Sequence, residues 1–228
     1  MRAGGGKQKG SRFEREICVL LSKWVSAGAR EDLFWRAAMS GGRATVGKRK
    51  GADLAAHAGD ISATHEDGHA LTNTWYIECK RYADLNYAGF MLKNAGPLAT
   101  FWRETCEHAA SFDKLPMLIA REDRGATTVI VAHAVKHMPM HMRSDVFLLH
   151  WSTQIASVRS MNVDIHDFEA VLKMPFIKIS LPQGARWLMP GEDPFSTSYA
   201  APPPMSAPRV FRTQKPKRII RPIKGSKQ

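Results

Sequence analysis

With 228 residues, of which 44% are hydrophobic and 24% charged, the chain has ordinary globular usage and enough length for one well-buried domain plus appendages, which excludes a disordered chain. It has no run of about 18 apolar residues, and its first ten residues, MRAGGGKQKG, lack the apolar stretch of a signal peptide, so neither a membrane span nor export by that route is expected. The formal charge of +12 sits at the ends: residues 1–12 carry Arg2, Lys7, Lys9 and Arg12 and no acid, residues 209–228 carry eight Lys or Arg and no acid, and the body between them is neutral. Such ends suit either solubility or a polyanion met through salt-sensitive, sequence-independent phosphate contacts.

In chain order, a helix is predicted from Ser11, because Phe13, Ile17, Leu20, Leu21, Trp24 and Val25 recur at helical spacing before a stop at Gly28. Residues 33–36 read as a short strand. The stretch SGGRATVGKRKGAD, 40–53, is rich in Gly and bases and has no apolar period, so it reads as a loop. Residues 59–64 predict the next strand and 65–69 a turn with Asp67-Gly68 as its signal, after which 74–80 returns as the other half of a hairpin or an adjacent pair. Gly96-Pro97 starts a helix whose inward stripe is Leu98, Phe101, Trp102, Thr105, Ala109 and Phe112. Strands follow at 116–120, 127–132 and 146–151. Trp35, Trp102 and Trp151 read as core. Nine of the thirteen prolines lie from Pro182 onward, so 190–228 reads as a linker and basic tail, and 1–10 as a basic flexible start.

Three cysteines at wide spacing, Cys18, Cys79 and Cys106, form neither a disulfide framework nor a zinc motif, which fits a reducing cytoplasm. His133, His137 and His141 recur every four residues, but Pro139 interrupts any helix that would align them on a metal.

The chemistry concentrates in WYIECKRY, 75–82. Alternation puts Trp75, Ile77 and Cys79 on one face of a strand and Tyr76, Glu78 and Lys80 on the other. Alone, Glu78 and Lys80 would be an ion pair on a solvated face, worth little. Phosphodiester hydrolysis, however, needs carboxylates converging on a hard divalent cation and a group that orients water. Asp60 at the mouth of one strand, with Glu78 and Lys80 on the next, supplies that set. Asp53 and Asp67 compete with Asp60 for the first position.

On these residues GD(60)…E(78)xK(80) resembles the PD-(D/E)XK nuclease motif, with Gly59 where proline is usual. KGSRFEREI, 9–17, resembles the N-terminal helix of archaeal-type Holliday junction resolvases, Ser40-Gly41-Gly42 resembles their serine- and glycine-containing loop, and ECKRYADLNY resembles bacteriophage-encoded nucleases of the superfamily. The resemblance implies an α/β, restriction-endonuclease-like fold over 11–189: a mixed central sheet flanked by helices, with C-terminal strands added. It also implies a Mg²⁺-dependent (or Mn²⁺-dependent) endodeoxyribonuclease that leaves 5′-phosphate and 3′-hydroxyl ends. Asp60, Glu78 and the backbone carbonyl of Cys79 would hold the metal, joined by Glu14 through water, and Lys80 would position the attacking water. Glu14 has a rival role as the acid of a Ser11-x-x-Glu14 capping box, in which case Glu16 is the fallback acid. Arg12, Ser40, Gly41, Gly42, Arg43, Lys48, Arg49, Lys50, Arg81 and Arg121 are expected on DNA, while Tyr82 suits either the DNA backbone or the core. The junction resemblance implies branched DNA and a homodimer, acting in phage recombination in a host cytoplasm; duplex DNA remains an equal substrate. The rival reading is a nucleic-acid-binding protein of the same fold without catalysis, and a third is a role on RNA.

Overall fold

The computed structural model describes residues 5–37, 58–132, 135–136, 154–158, 162–176 and 186–187. All lie in the first of the two units into which the chain divides, Met1–Pro194 and Phe195–Gln228. The basic loop with Ser40, Gly41, Gly42, Arg43, Lys48, Arg49 and Lys50, the rival Asp53, the three spaced histidines, the expected strand at 146–151 and the tail fall outside the described residues.

Helix α1, Gly5–Val25, buries Phe13, Ile17, Leu21 and Trp24 on one face and turns Arg12, Arg15 and Lys23 outward. It begins six residues before the expected start at Ser11. Lys9, in the added turns, is ion-paired with Asp123, and this tertiary contact overrides the poor helix propensity of Gly5, Gly6 and Gly10. Ser11 and Glu14 therefore lie inside the helix, and the capping-box reading is corrected: no helix start exists there to cap.

Strands β1, Phe34–Arg36, and β2, Ile61–Ala63, pair antiparallel as a small ribbon. This corrects the expected hairpin between 59–64 and 74–80. The Asp67-Gly68 signal is used by a 3-10 turn, Glu66–Gly68, that runs on into α2, His69–Thr72, so the chain enters β3, Trp75–Tyr82, without folding β2 back on it. One backbone bond still joins the two, from Asp60 N to Ile77 O at 2.8 Å.

Two helices, α3, Tyr87–Lys93, and α4, Pro97–Ser111, carry the crossover to β4, Leu115–Glu122. A crossover is what a parallel pair requires, and β3 and β4 are parallel, with Glu78 opposite Leu118 and Lys80 opposite Ala120. The sheet continues antiparallel through β5, Thr127–Ala132, with β7, Gln154–Val158, and β8, Val163–Asp167, in the order β3-β4-β5-β8-β7. A two-residue pair, β6, Val135–Lys136, with β9, Arg186–Trp187, and the short helix α5, Phe168–Leu172, complete the described elements.

Helices cover both faces of β3. Tyr76 stacks on Phe112 just past α4, and Tyr82 meets Phe101 of α4, so the even-numbered row lies under α4; the opposite row lies toward α1. Of the expected stripe, Leu98, Trp102, Thr105 and Ala109 in α4 and Phe112 just past it are buried, joined by Ala99 and Cys106, while Phe101 is half-buried. The core expectation fails for Trp35, which is 57% exposed, because β1 is one strand of a two-stranded ribbon and its alternation turns Phe34 inward and Trp35 out. Tyr82 likewise leaves the core at the strand end, 49% exposed. All three cysteines are buried and unpaired with one another.

Candidate active site

Asp60 is placed by the glycine before it. Gly59 has φ +90°, and a Cβ there would stand 2.5 Å from the Ile77 carbonyl oxygen. Proline, whose ring holds φ near −65°, does not fit this conformation, so glycine stands where the resembled motif has proline. The close approach lets Asp60 N donate to Ile77 O, while Ala37 N donates to Asp60 O at 2.8 Å from the other side. The side chain then folds along the edge of β3, where Asp60 Oδ2 accepts from Cys79 N at 2.9 Å.

Glu78 and Lys80 project from the next positions of the same strand. Lys80 Nζ is ion-paired with Glu78 Oε1, and the Tyr76 hydroxyl donates to Glu78 Oε2 at 3.3 Å while lying 3.3 Å from His108 Nδ1. Lys80 Nζ also stands 5.4 Å from the centre of the Phe101 ring. Glu14 reaches in from α1 and accepts from Arg36 Nε at 2.7 Å. The fold thus brings Glu14, Asp60, Glu78, Cys79 and Lys80 together.

The electrostatics follow from burial. Asp60 is only 5% exposed, and its carboxyl is pushed up to about 8, first by burial and then by the Glu78 charge, against the opposing help of Cys79 N–H and Lys80. Burial works against the charged form of Lys80, yet attraction to Glu78, the bond to it and the Asp60 charge hold its ammonium above the ordinary lysine value. Burial and the same two acids push the Tyr76 phenol up. Lys80 is therefore a hydrogen-bond donor that keeps its positive charge at neutral pH, not a base.

Among the described residues no three His, Cys, Asp or Glu side chains form a metal cage. A hard cation such as Mg²⁺ needs no cage: it takes one or two carboxylates and leaves its other positions to water and phosphate. Asp60 and Glu78 fit that requirement. One is buried and destabilised as an anion by its burial and by the other, an imbalance that a divalent cation offsets.

The expected DNA contacts divide. Arg121 binds Glu16 with two bonds, at 2.9 and 2.6 Å, and its guanidinium lies 4.5 Å from the centre of the Phe13 ring. Glu16, the fallback acid, is thereby committed to Arg121, and that bond holds its carboxyl below the ordinary value. Arg81 Nε lies 3.5 Å from Asp123 Oδ1, and Arg12 is exposed on α1. Arg81 and Arg121 each keep a buried Nε without a hydrogen-bond partner among the described residues. Asp67 is exposed in the 3-10 turn beside His65 and takes no part in the site.

Sequence reasoning left out Arg36, Tyr76 and His108. Tyr76 was signalled by its two-residue spacing from Glu78. Arg36 is a base closing a strand just before the basic loop, a weaker signal that only the Glu14 contact makes specific.

A mixed sheet flanked by helices, with an acid brought to an edge strand that carries an acid and a lysine, defines the restriction-endonuclease-like fold of the PD-(D/E)XK superfamily. A family model described as phage putative PDDEXK endonuclease matches residues 5–178, and the chain belongs to that family. No curated protein and no solved structure matches it. No helix among the described residues is long and apolar enough to cross a membrane.

Proposed function

We propose that this endonuclease is a divalent-metal-dependent enzyme that hydrolyses DNA phosphodiester bonds, with Asp60, Glu78 and the Cys79 carbonyl as metal ligands and Lys80 as the group that orients water. The observation that carries the reading is the Asp60 carboxyl, buried, bonded to Cys79 N at 2.9 Å and raised to about 8 beside Glu78. A bound Mg²⁺ supplies charge to offset the phosphate and lowers the pKa of water. The Lys80 ammonium donates to the attacking water or the phosphate oxygens and steadies the charge that builds there. Water oxygen bonds to phosphorus as the bond to the 3′ oxygen breaks; the proton that water loses passes to solvent and the departing oxygen takes one up from solvent, leaving a 5′-phosphate and a 3′-hydroxyl. Glu14 holds Arg36 at the rim of the site, and a water-mediated contact from Glu14 to the cation belongs to the same reading.

Arg12, Arg81 and Arg121, with the loop bases Arg43, Lys48, Arg49 and Lys50 beside Ser40, Gly41 and Gly42, are assigned to the DNA backbone, which accepts cations without reading sequence. Resemblance to junction resolvases supports branched DNA as substrate and a homodimer, because symmetrical cutting needs two sites; the host cytoplasm goes with a phage origin. The test incubates labelled four-way junctions and linear duplex with Mg²⁺, Mn²⁺ or EDTA, with Glu78→Ala alongside. Metal-dependent cutting lost in Glu78→Ala is expected. Binding without cutting refutes the enzyme, and cutting that survives Glu78→Ala refutes the site.

A further inference from the structure

We propose that Tyr82, backed by Phe101, is a stacking platform for an unpaired nucleobase beside the scissile phosphate, which makes it a specificity-determining residue of the site proposed above. Tyr82 continues the row of Glu78 and Lys80 on one face of β3, about 7 Å of strand beyond Lys80, so a nucleotide next to the scissile bond reaches it.

Three features separate this ring from an incidental surface tyrosine. Its backbone is held: Asp123 N donates to Tyr82 O at 2.9 Å, and Leu85 N donates to Glu122 Oε1 at 2.8 Å, which fixes the chain just beyond it. Its ring is held: Phe101 stands 5.0 Å away at an interplanar angle of 60°, and Phe101 is itself packed on the core. The support is shared with the chemistry, since the same Phe101 ring lies 5.4 Å from Lys80 Nζ. With Phe101 against one side, the 49% of Tyr82 that stays exposed is open to a ligand.

The occupant follows from chemistry. An aromatic face one position along the row from the Lys80 ammonium suits a nucleotide, whose base stacks while its phosphate meets that charge. A base within a duplex already stacks on its neighbours; an unpaired base at a branch, flap or overhang has a free face. The platform therefore favours cutting where a nucleotide is unpaired.

The test uses the full chain and a duplex with a 5′ overhang carrying 2-aminopurine at successive positions, with a fluorescence readout in EDTA and a cleavage readout in Mg²⁺. Expected is a quench at one position near the cut in the wild type, lost in Tyr82→Leu and Tyr82→Ala and restored in Tyr82→Phe. For the overhang substrate kcat/KM falls on the order of ten- to a hundredfold in Tyr82→Leu, the range that loss of one stacked base gives, with a smaller fall on flush duplex. Circular dichroism confirms that the variants fold. Unchanged quenching in folded Tyr82→Leu, or equal losses on the two substrates, overturns the proposal. Tyr82-dependent quenching without cutting in any metal retains the platform and refutes the nuclease reading instead.

Discussion

Replacing Asp60 by Asn tests the electrostatics of the site without any substrate. Asn keeps an oxygen to accept the Cys79 N–H, so the 2.9 Å contact has a replacement, but it carries no charge. A carboxyl whose value moves from 3.8 to about 8 on folding carries at most about 6 kcal/mol of proton linkage. Relaxation and the effective dielectric of real protein interiors reduce this to on the order of 2–3 kcal/mol. The sign follows from the raised value: the native state holds a proton that the unfolded chain releases, so stability is fully present below about pH 4, falls as pH rises, and levels off above about pH 8. In EDTA, Asp60→Asn is therefore expected to melt about 5–10 °C above wild type at pH 8, using roughly 2–4 °C per kcal/mol for a domain of this size, and close to wild type at pH 4. Adding Mg²⁺ raises the melting temperature of the wild type, more at pH 8 than at pH 5, and leaves Asp60→Asn unmoved. A variant that melts at or below wild type at pH 8, or that differs by the same amount at every pH, refutes the reasoning.

Gly59→Ala places a Cβ 2.5 Å from Ile77 O at φ +90°, and is expected to cost at least about 3 kcal/mol in urea unfolding; a loss below about 1 kcal/mol would mean that the segment before Asp60 moves freely. Trp102→Ala, at a fully buried position, is expected to cost about 3–5 kcal/mol, whereas Trp35→Ala, 57% exposed, stays within about 0.5 kcal/mol; equal effects would contradict the ribbon's alternation. Removing residues 209–228, eight bases and no acid, is expected to leave the melting temperature unchanged while lowering the salt slope of DNA binding by up to about 7. A large drop in melting temperature would show that the tail supports the fold.

The sequence was most legible where one physical signal dominated. The stripe from Leu98 to Ala109 marked α4, and alternation in WYIECKRY marked β3 with its two rows. Legibility failed where a distant contact decided the outcome. Lys9 extends α1 because Asp123, more than a hundred residues away, is there to meet it. The Asp67-Gly68 pair looked like a hairpin turn, and pairing of β2 with β1 instead rests on register that the turn does not encode. In the site, the acid-acid-base set was visible as spacing, and the structure brings it together. The reason for Gly59 was not visible, since it lies in the Ile77 carbonyl across the gap. Arg36 and His108 gain meaning only from their partners on other elements.

The parallel pairing of β3 with β4 also bears on when Asp60, Glu78 and Lys80 become aligned during synthesis. Among the described strands, β4 is the sole ladder neighbour of β3, and it follows a crossover that carries two helices. A growing chain therefore exposes Asp60, Glu78 and Lys80 well before the strand that holds them in place exists, and long-range pairing of this kind forms slowly. A chain arrested before Leu115 contains the whole acid-acid-base set and none of the sheet partner that aligns it. Alignment of that set thus arrives with completion of the β3–β4 pair rather than with translation of the motif.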